Sequence, residues 1–216
     1  MALLAPSILS ADFADLGNDI KTTAESGADW IHVDVMDGLF VPSISFGMPV
    51  IKSIRKTTDK PFDVHLMINE PIRYIKEFKE AGADILTVHV EACSDTKATL
   101  EEIKKAGMRP ALSIKPKTPV SEIEEYLPLI DMLLVMSVEP GFGGQKLIPE
   151  TVDKVRQLRK IIDERGLDVL IEIDGGINLE NVVDIVKAGT DVIVAGSAVF
   201  GGDVAEKTKA FVSLIK

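Results

Sequence analysis

Short apolar runs alternate with amphipathic segments from one end of this chain to the other, and no other feature restricts its fold so strongly. The runs are Leu3–Ile8, Trp30–Val35, Phe62–Met67, Ile85–His89, Arg109–Ile114, Met132–Met136, Val169–Ile173 and Val192–Ala195, about eight strands by their periodicity. Several are nearly continuous Val, Ile, Leu and Met, the pattern of parallel strands covered on both faces. Helical spacing fills the intervals. In Thr151–Glu164, Val152, Val155, Leu158, Ile161 and Ile162 recur in steps of three and four and make one buried stripe. Glu70-Pro71 ahead of Ile72–Ala81 puts proline in a first helical turn. Ala81-Gly82, Ala106-Gly107 and Ala188-Gly189 place glycine where three helices stop.

A strand–helix unit of roughly 25 residues, repeated about eight times, closes in one of two ways. An open doubly wound sheet would carry a glycine-rich fingerprint after its first strand. The chain instead reads Leu9-Ser10-Ala11-Asp12 there. The count and the length of 216 residues suit a closed (β/α)8 TIM barrel. No Pro/Ser-rich linker divides the sequence, so the expectation is an α/β chain with a single barrel domain over residues 1–216.

Composition narrows the partners. Lys plus Arg is 24 and Asp plus Glu is 34, a net charge of −10. A body this acidic repels a nucleic-acid backbone and an anionic membrane surface. No run approaches the roughly 18 apolar residues of a membrane-spanning helix, and Met1–Pro6 lacks the features of a signal peptide. The single cysteine, Cys93, cannot form an internal disulfide, which points to a reducing cytoplasm. A symmetric homo-oligomer is the expected assembly.

In a (β/α)8 barrel the chemistry gathers at the C-terminal ends of the strands. The second strand ends His32-Val33-Asp34-Val35-Met36-Asp37-Gly38, and alternation puts His32, Asp34 and Met36 on one face. The third ends Asp63-Val64-His65-Leu66-Met67 and the seventh Glu172-Ile173-Asp174-Gly175-Gly176. His32, Asp34, His65 and Asp174 thus converge as imidazole and carboxylate donors, a set suited to zinc, iron(II), manganese or cobalt. Asp37, just before Gly38, reads as a turn or capping residue. His89 and Glu91 carry ligand chemistry too, but supporting the ligands or packing is the preferred role.

Glycine marks a second chemistry. Strand six runs into Val138-Glu139-Pro140-Gly141-Phe142-Gly143-Gly144-Gln145, strand seven into Gly175-Gly176, and strand eight into Gly196-Ser197. Loops of small residues expose backbone N–H groups, and such loops after the last strands hold phosphate in this architecture. Neutral donors can do so without a cation. Met36, Met67 and Met136 sit at matching strand ends, either as barrel filler or as a soft apolar wall beside reacting carbons.

In these motifs the sequence strongly resembles the ribulose-phosphate 3-epimerase family over essentially its whole length. Ala5-Pro6-Ser7-Ile8-Leu9-Ser10, Phe40-Val41-Pro42 after the His32–Gly38 run, and Gly196-Ser197-Ala198-Val199-Phe200 complete the set. Leu39 departs from it, standing where the family often has a polar or basic residue, outside the proposed ligands. The resemblance implies one divalent ion per subunit, zinc first among the candidates, held by His32, Asp34, His65 and Asp174. It implies Asp34 and Asp174 as the acid–base pair and substrate contacts from Ser7 and His65. It implies a phosphate site from Gly141, Phe142, Gly143, Gly144, Gly175, Gly176, Gly196 and Ser197, with the three methionines lining the site.

The residues make sense of that activity independently. Epimerising a carbon beside a ketone means removing its proton on one face and returning one on the other, which two opposed carboxylates can do. Phe40–Ser43 and Gly141–Gly144 are the lid candidates. Three rivals remain. One is a 3-epimerase of a phosphorylated hexulose such as allulose 6-phosphate, and another is a Schiff-base aldolase using Lys115 at the end of strand five. The third is a non-catalytic sugar-phosphate-binding protein.

Overall fold

The computed structural model describes residues 1–216. Eight strands run β1 Leu3–Pro6, β2 Ile31–Met36, β3 Phe62–Met67, β4 Ile85–His89, β5 Arg109–Ile114, β6 Met132–Met136, β7 Leu170–Asp174 and β8 Val192–Ala195. All pairings are parallel, in the order β1-β8-β7-β6-β5-β4-β3-β2. The barrel closes between β1 and β2, where Asp29 N–H and Trp30 N–H donate to Leu4 O and Ser7 bridges His32.

Helices cover the outside: α1 Leu16–Glu25, α2 Met48–Ile54, α3 Ile75–Ala81, α4 Thr96–Lys105, α5 Glu150–Glu164, α6 Val182–Lys187, α7 Ser197–Phe200 and α8 Val204–Ile215. The expected glycines follow α3, α4 and α6, with φ of +107°, +76° and +108° at Gly82, Gly107 and Gly189, a conformation glycine adopts without strain. The strand–helix rhythm breaks once. Between β5 and β6 the chain makes only two short 3-10 turns, Val120–Glu122 and Leu127–Leu129. Pro116, Pro119 and Pro128 lie in this stretch, and proline removes a helical donor and clashes with the preceding turn.

β2 and β7 are each shifted one residue C-terminal to the expected Trp30–Val35 and Val169–Ile173, and two further boundaries differ for a visible reason. The first strand stops at Pro6 because Ser7 Oγ accepts the Leu9 N–H and caps the turn Ile8–Ser10. The Pro71 segment opens as a 3-10 turn, Pro71–Tyr74, before α3 begins.

The outward strand residues Val33, Leu66, Leu133 and Ile171 join Ile20, Phe78, Leu158 and Phe211 from the helices in one core. Each such side chain, fully buried, contributes roughly 1.5–3 kcal/mol. Inside the barrel, Ala5, Trp30, Ile85, Ala111, Met132, Val192 and Val194 form a separate apolar plug. Several of these lie at the N-terminal ends of their strands, so the polar inward positions fall nearer the C-terminal mouth.

Candidate active site

Strand register assembles the site. Parallel pairing sets His32 beside Asp63, Asp34 beside His65 and Met36 beside Met67. It also sets Met136 beside Asp174. Inward residues of adjacent strands thereby stack in layers. His32, Asp34, His65 and Asp174 each bring a ligand atom within 4.8 Å of the others.

Asp34 is the centre of this group. Ser7 Oγ donates to its Oδ2 at 2.5 Å. Its Oδ1 lies 3.0 Å from His65 Nδ1 and 3.3 Å from His32 Nε2. His32 Nδ1 sits 2.6 Å from Asp63 Oδ2, so Nδ1 carries the proton and Nε2 turns toward Asp34. That Nε2 is buried and has no hydrogen-bond partner. An orphaned imidazole nitrogen beside two carboxylates and a second imidazole is a donor set that fits a divalent cation.

The charges agree with this. Burial opposes a charge on His32, but the Asp34 and Asp63 carboxylates outweigh it and raise its pKa well above the ordinary value. Asp34 is held far below the usual carboxylate range by His32 and His65, against the cost of its burial. Burial first, and the Asp34 charge second, push Asp174 up to about 7. The site so contains one carboxylate that strongly prefers its charge and one that readily keeps a proton.

Below this group lie two carboxylates and a hydroxyl that the motifs alone do not assign. Asp63, Glu172 and Thr87 are fully buried inside the barrel. Thr87 Oγ1 donates to Asp63 Oδ1 at 3.3 Å. Asp63 is held low despite burial, chiefly by the charge on His32. Glu172 is raised well above the usual range by burial and by the Asp63 charge. For the two carboxylates the signal was present: Asp63 and Glu172 stand two residues before the proposed ligands His65 and Asp174 and share their inward face.

Beside the ligands opens a cleft. Ser7, Asp34 and Asp174 line it, as do Met36, Met67 and Met136. Its other wall is the glycine loops: Gly141, Phe142, Gly143 and Gly144, then Gly175 and Gly176, then Gly196 and Ser197. His32 and His65 lie behind this surface, fully buried. No Lys or Arg lines the cleft. Gly176 shows why these positions stay small. Its φ is +68°, and a Cβ there would stand 2.2 Å from the Leu147 backbone nitrogen.

The two lid candidates meet across the mouth: a Cβ at Gly141 would lie 3.3 Å from Val41 Cβ and 3.2 Å from Pro42 Cδ. Asp37 does cap its turn, accepting from Leu39 N–H and Phe40 N–H through Oδ1 and from Asn69 N–H through Oδ2. Lys115 is not among the cleft residues; its Nζ rests 3.9 Å from the centre of the Phe40 ring. Leu39 is exposed. His89 and Glu91 stand behind His65. His89 Nε2 is 2.9 Å from His65 Nε2, and His89 Nδ1 is 3.2 Å from Glu91 Oε2. Burial draws the His89 pKa down to about 4. Glu91 falls to about 2 against its own burial, because His89, Thr118 and the Lys115 N–H all donate to it.

Carboxylates gathered with imidazoles at the strand ends of a (β/α)8 barrel mark an enzyme, one with the residues to hold a metal ion. The model of the Ribulose-phosphate 3 epimerase family matches residues 3–200, and the chain belongs to that family. It is 52% identical over 200 residues to the ribulose-phosphate 3-epimerase of Synechocystis sp. (strain PCC 6803), covering 92% of this chain and 87% of that protein. It is 50% identical over 202 residues to the one from Bacillus subtilis (strain 168), covering 93% of each. Solved structures with far lower identity share the fold alone. KGPDC from Streptococcus mutans aligns with a TM-score of 0.73 at 14% identity, over 100% of this chain and 97% of that one. A mutant tryptophan synthase α-subunit from Pyrococcus furiosus gives 0.73 at 17%, over 99% and 96%. No helix here is long and apolar enough to cross a membrane.

Proposed function

We propose that this chain interconverts D-ribulose 5-phosphate and D-xylulose 5-phosphate, with Asp34 and Asp174 as its two acid–base groups. The observation that carries the reading is their pairing. They come from β2 and β7, approach within 4.8 Å, and hold protons with opposite tendencies. One carboxylate takes the C3 proton from one face of the sugar, leaving an enediolate. The other, as the acid, returns a proton to the opposite face. In the reverse direction the roles exchange.

His32, Asp34, His65 and Asp174 are the residues to hold a divalent ion, with zinc the first candidate for this donor set and iron(II), manganese and cobalt the others. When bound, the ion supplies positive charge to offset the charge that develops on the substrate oxygens. Ser7 fixes the Asp34 carboxylate through its hydroxyl and faces the substrate from β1. The glycine loops take the phosphate through backbone N–H groups, as an acidic protein without a cationic side chain in its cleft requires. The methionines give the reacting carbons an apolar wall that excludes water. The lone cysteine supports a reducing, cytoplasmic setting, and a symmetric homo-oligomer is the expected assembly.

The test is interconversion of the two pentulose phosphates in heavy water, before and after metal stripping. Deuterium entering C3, activity lost on stripping and its return with a divalent ion are the expected results. Activity indifferent to thorough stripping would refute the metal role. Faster turnover of allulose 6-phosphate would move the assignment to the hexulose, and substrate binding without exchange would leave only a binding protein.

A further inference from the structure

The chain has three histidines, and all three lie together. The His32 and His65 rings are 5.5 Å apart and the His65 and His89 rings 5.0 Å. His32 is fixed directly by Asp63. His65 has no carboxylate behind it. Its rear nitrogen, Nε2, meets His89 Nε2 instead, and only beyond His89 does a carboxylate appear, Glu91.

We infer that Glu91, acting through His89, decides which nitrogen of His65 carries its proton, and so presents the lone pair of His65 Nδ1 to the metal. This rests on the reading above that His65 is a ligand. Two Nε2 atoms 2.9 Å apart share one hydrogen, so one donates and the other accepts. Glu91 sets which. Its carboxylate only accepts, so His89 Nδ1 must carry hydrogen toward it. His89 Nε2 is then the acceptor and His65 Nε2 the donor. Asp34 Oδ1, 3.0 Å from His65 Nδ1, accepts hydrogen from that nitrogen until a cation takes its place; with the Nε2 proton of His65 fixed by the relay, Nδ1 is then the nitrogen left bare for the metal.

Glu91 is itself fixed so that this polarity cannot turn. Its Oε1 accepts from the Lys115 backbone N–H at 2.8 Å and from Thr118 Oγ1, leaving Oε2 for His89. The Lys115 carbonyl and that of Thr118 are tied in turn by Lys154 Nζ from α5, at 3.3 and 2.5 Å. Phe40 covers the relay, its ring 4.8 Å from that of His89. Glu91 is thus a positioning residue at one remove from the metal site.

This predicts an unusual effect for an isosteric change. In Glu91→Gln the amide oxygen stays with the backbone N–H of Lys115, so the amide NH2 takes the position facing His89 Nδ1. A donor there makes Nδ1 an acceptor, moves the His89 proton to Nε2, and drives the His65 proton onto Nδ1. His65 is then protonated on its ligand atom. Removing an outer partner of a metal-bound histidine typically costs about 10–100-fold in affinity, and reversing the relay should reach at least the lower part of that range. Glu91→Ala removes the bias and should leave a mixture of tautomers.

The experiment is 15N NMR of protein labelled at histidine, with and without Zn2+, beside Zn2+ affinity from competition with a chromophoric chelator. Wild-type His89 should show hydrogen on Nδ1 and a bare Nε2 in both states, and zinc should move the His65 Nδ1 resonance. Glu91→Gln should exchange the two His89 assignments and weaken zinc by about tenfold or more. A wild-type His89 protonated on Nε2 would overturn the relay without any variant, and so would Glu91→Gln with unchanged tautomers and affinity. Zinc that leaves the His65 resonances unmoved would instead refute His65 as a ligand, with the His89 tautomer still reporting on the relay.

Discussion

On the β2–β4 side of the barrel mouth, side chains carry the site. Asp34, His32, His65 and His89 pack there, with Asp63 behind His32 and Glu91 behind His89. On the β6–β8 side the cleft wall is largely backbone, because the loop residues include Gly141, Gly143, Gly144, Gly175, Gly176 and Gly196. Asp174 and, one layer below it, Glu172 reach from β7 to the first side. The contrast teaches how an acidic protein can serve an anionic substrate. Charge is concentrated where a proton must move and an ion must sit. It is kept out of the glycine loops, the proposed phosphate region, where fixed N–H dipoles would replace cations.

The two sides should therefore fail differently. The largest effect is expected from Asp174→Asn. It keeps the shape of the site and removes an acid–base group, and loss of such a group lowers rate by about 10²–10⁴-fold. kcat should fall with little change in KM, and deuterium exchange at C3 should fall with it. A normal kcat would show that the proton moves elsewhere and would break the division drawn here. Gly176→Ala attacks the other side. Its backbone lies in the left-handed region and its Cβ would strike the Leu147 backbone. Strain and overpacking together should cost about 3 kcal/mol. Thermal melting should show that loss, and KM for the sugar phosphate should rise while Zn2+ affinity in the folded fraction stays as in the wild type. A zinc affinity that fell equally would mean that the two sides are one cooperative unit.

The sequence reveals these sides unequally. Val- and Ile-rich runs bounded by turns give β3, β4, β5, β6 and β8 to the residue, because a parallel strand buried on both faces has an unbroken apolar pattern. The His32–Asp34 and His65 spacing is legible for a related reason: alternation alone turns them inward. The fifth crossover is harder to read. Its three prolines argue against a helix, yet two 3-10 turns leave no periodic signature. Glu172 was visible as a residue but not as a partner. Which strand it would face depends on β7 pairing with β6 and β8 and on the barrel closing, and neither is a local property. The same holds for Glu91, whose link to His65 runs through β4 and β3 and needs their register.

Glu91 also gives the smallest effect, and one whose pH dependence sharpens the contrast. Three donors hold its carboxyl below the ordinary value of 4.5, at about 2. A carboxylate with a depressed folded-state pKa binds fewer protons folded than unfolded between those two values. Stability therefore rises with pH across that window and is fully present above it. Glu91→Gln keeps an acceptor for Lys115 and loses the charge, so at pH 7 it should cost about 1–2 kcal/mol, the difference between a charge-assisted and a neutral hydrogen bond. Urea melts of both proteins from pH 7 down to the lowest pH at which they unfold reversibly should show the gap narrowing below about 4.5. Gly176→Ala should show no such convergence, because its loss is steric. A Glu91→Gln gap that held constant with pH would mean that the carboxylate acts there by shape alone, and the contrast between a charged side and a backbone side would lose one of its supports.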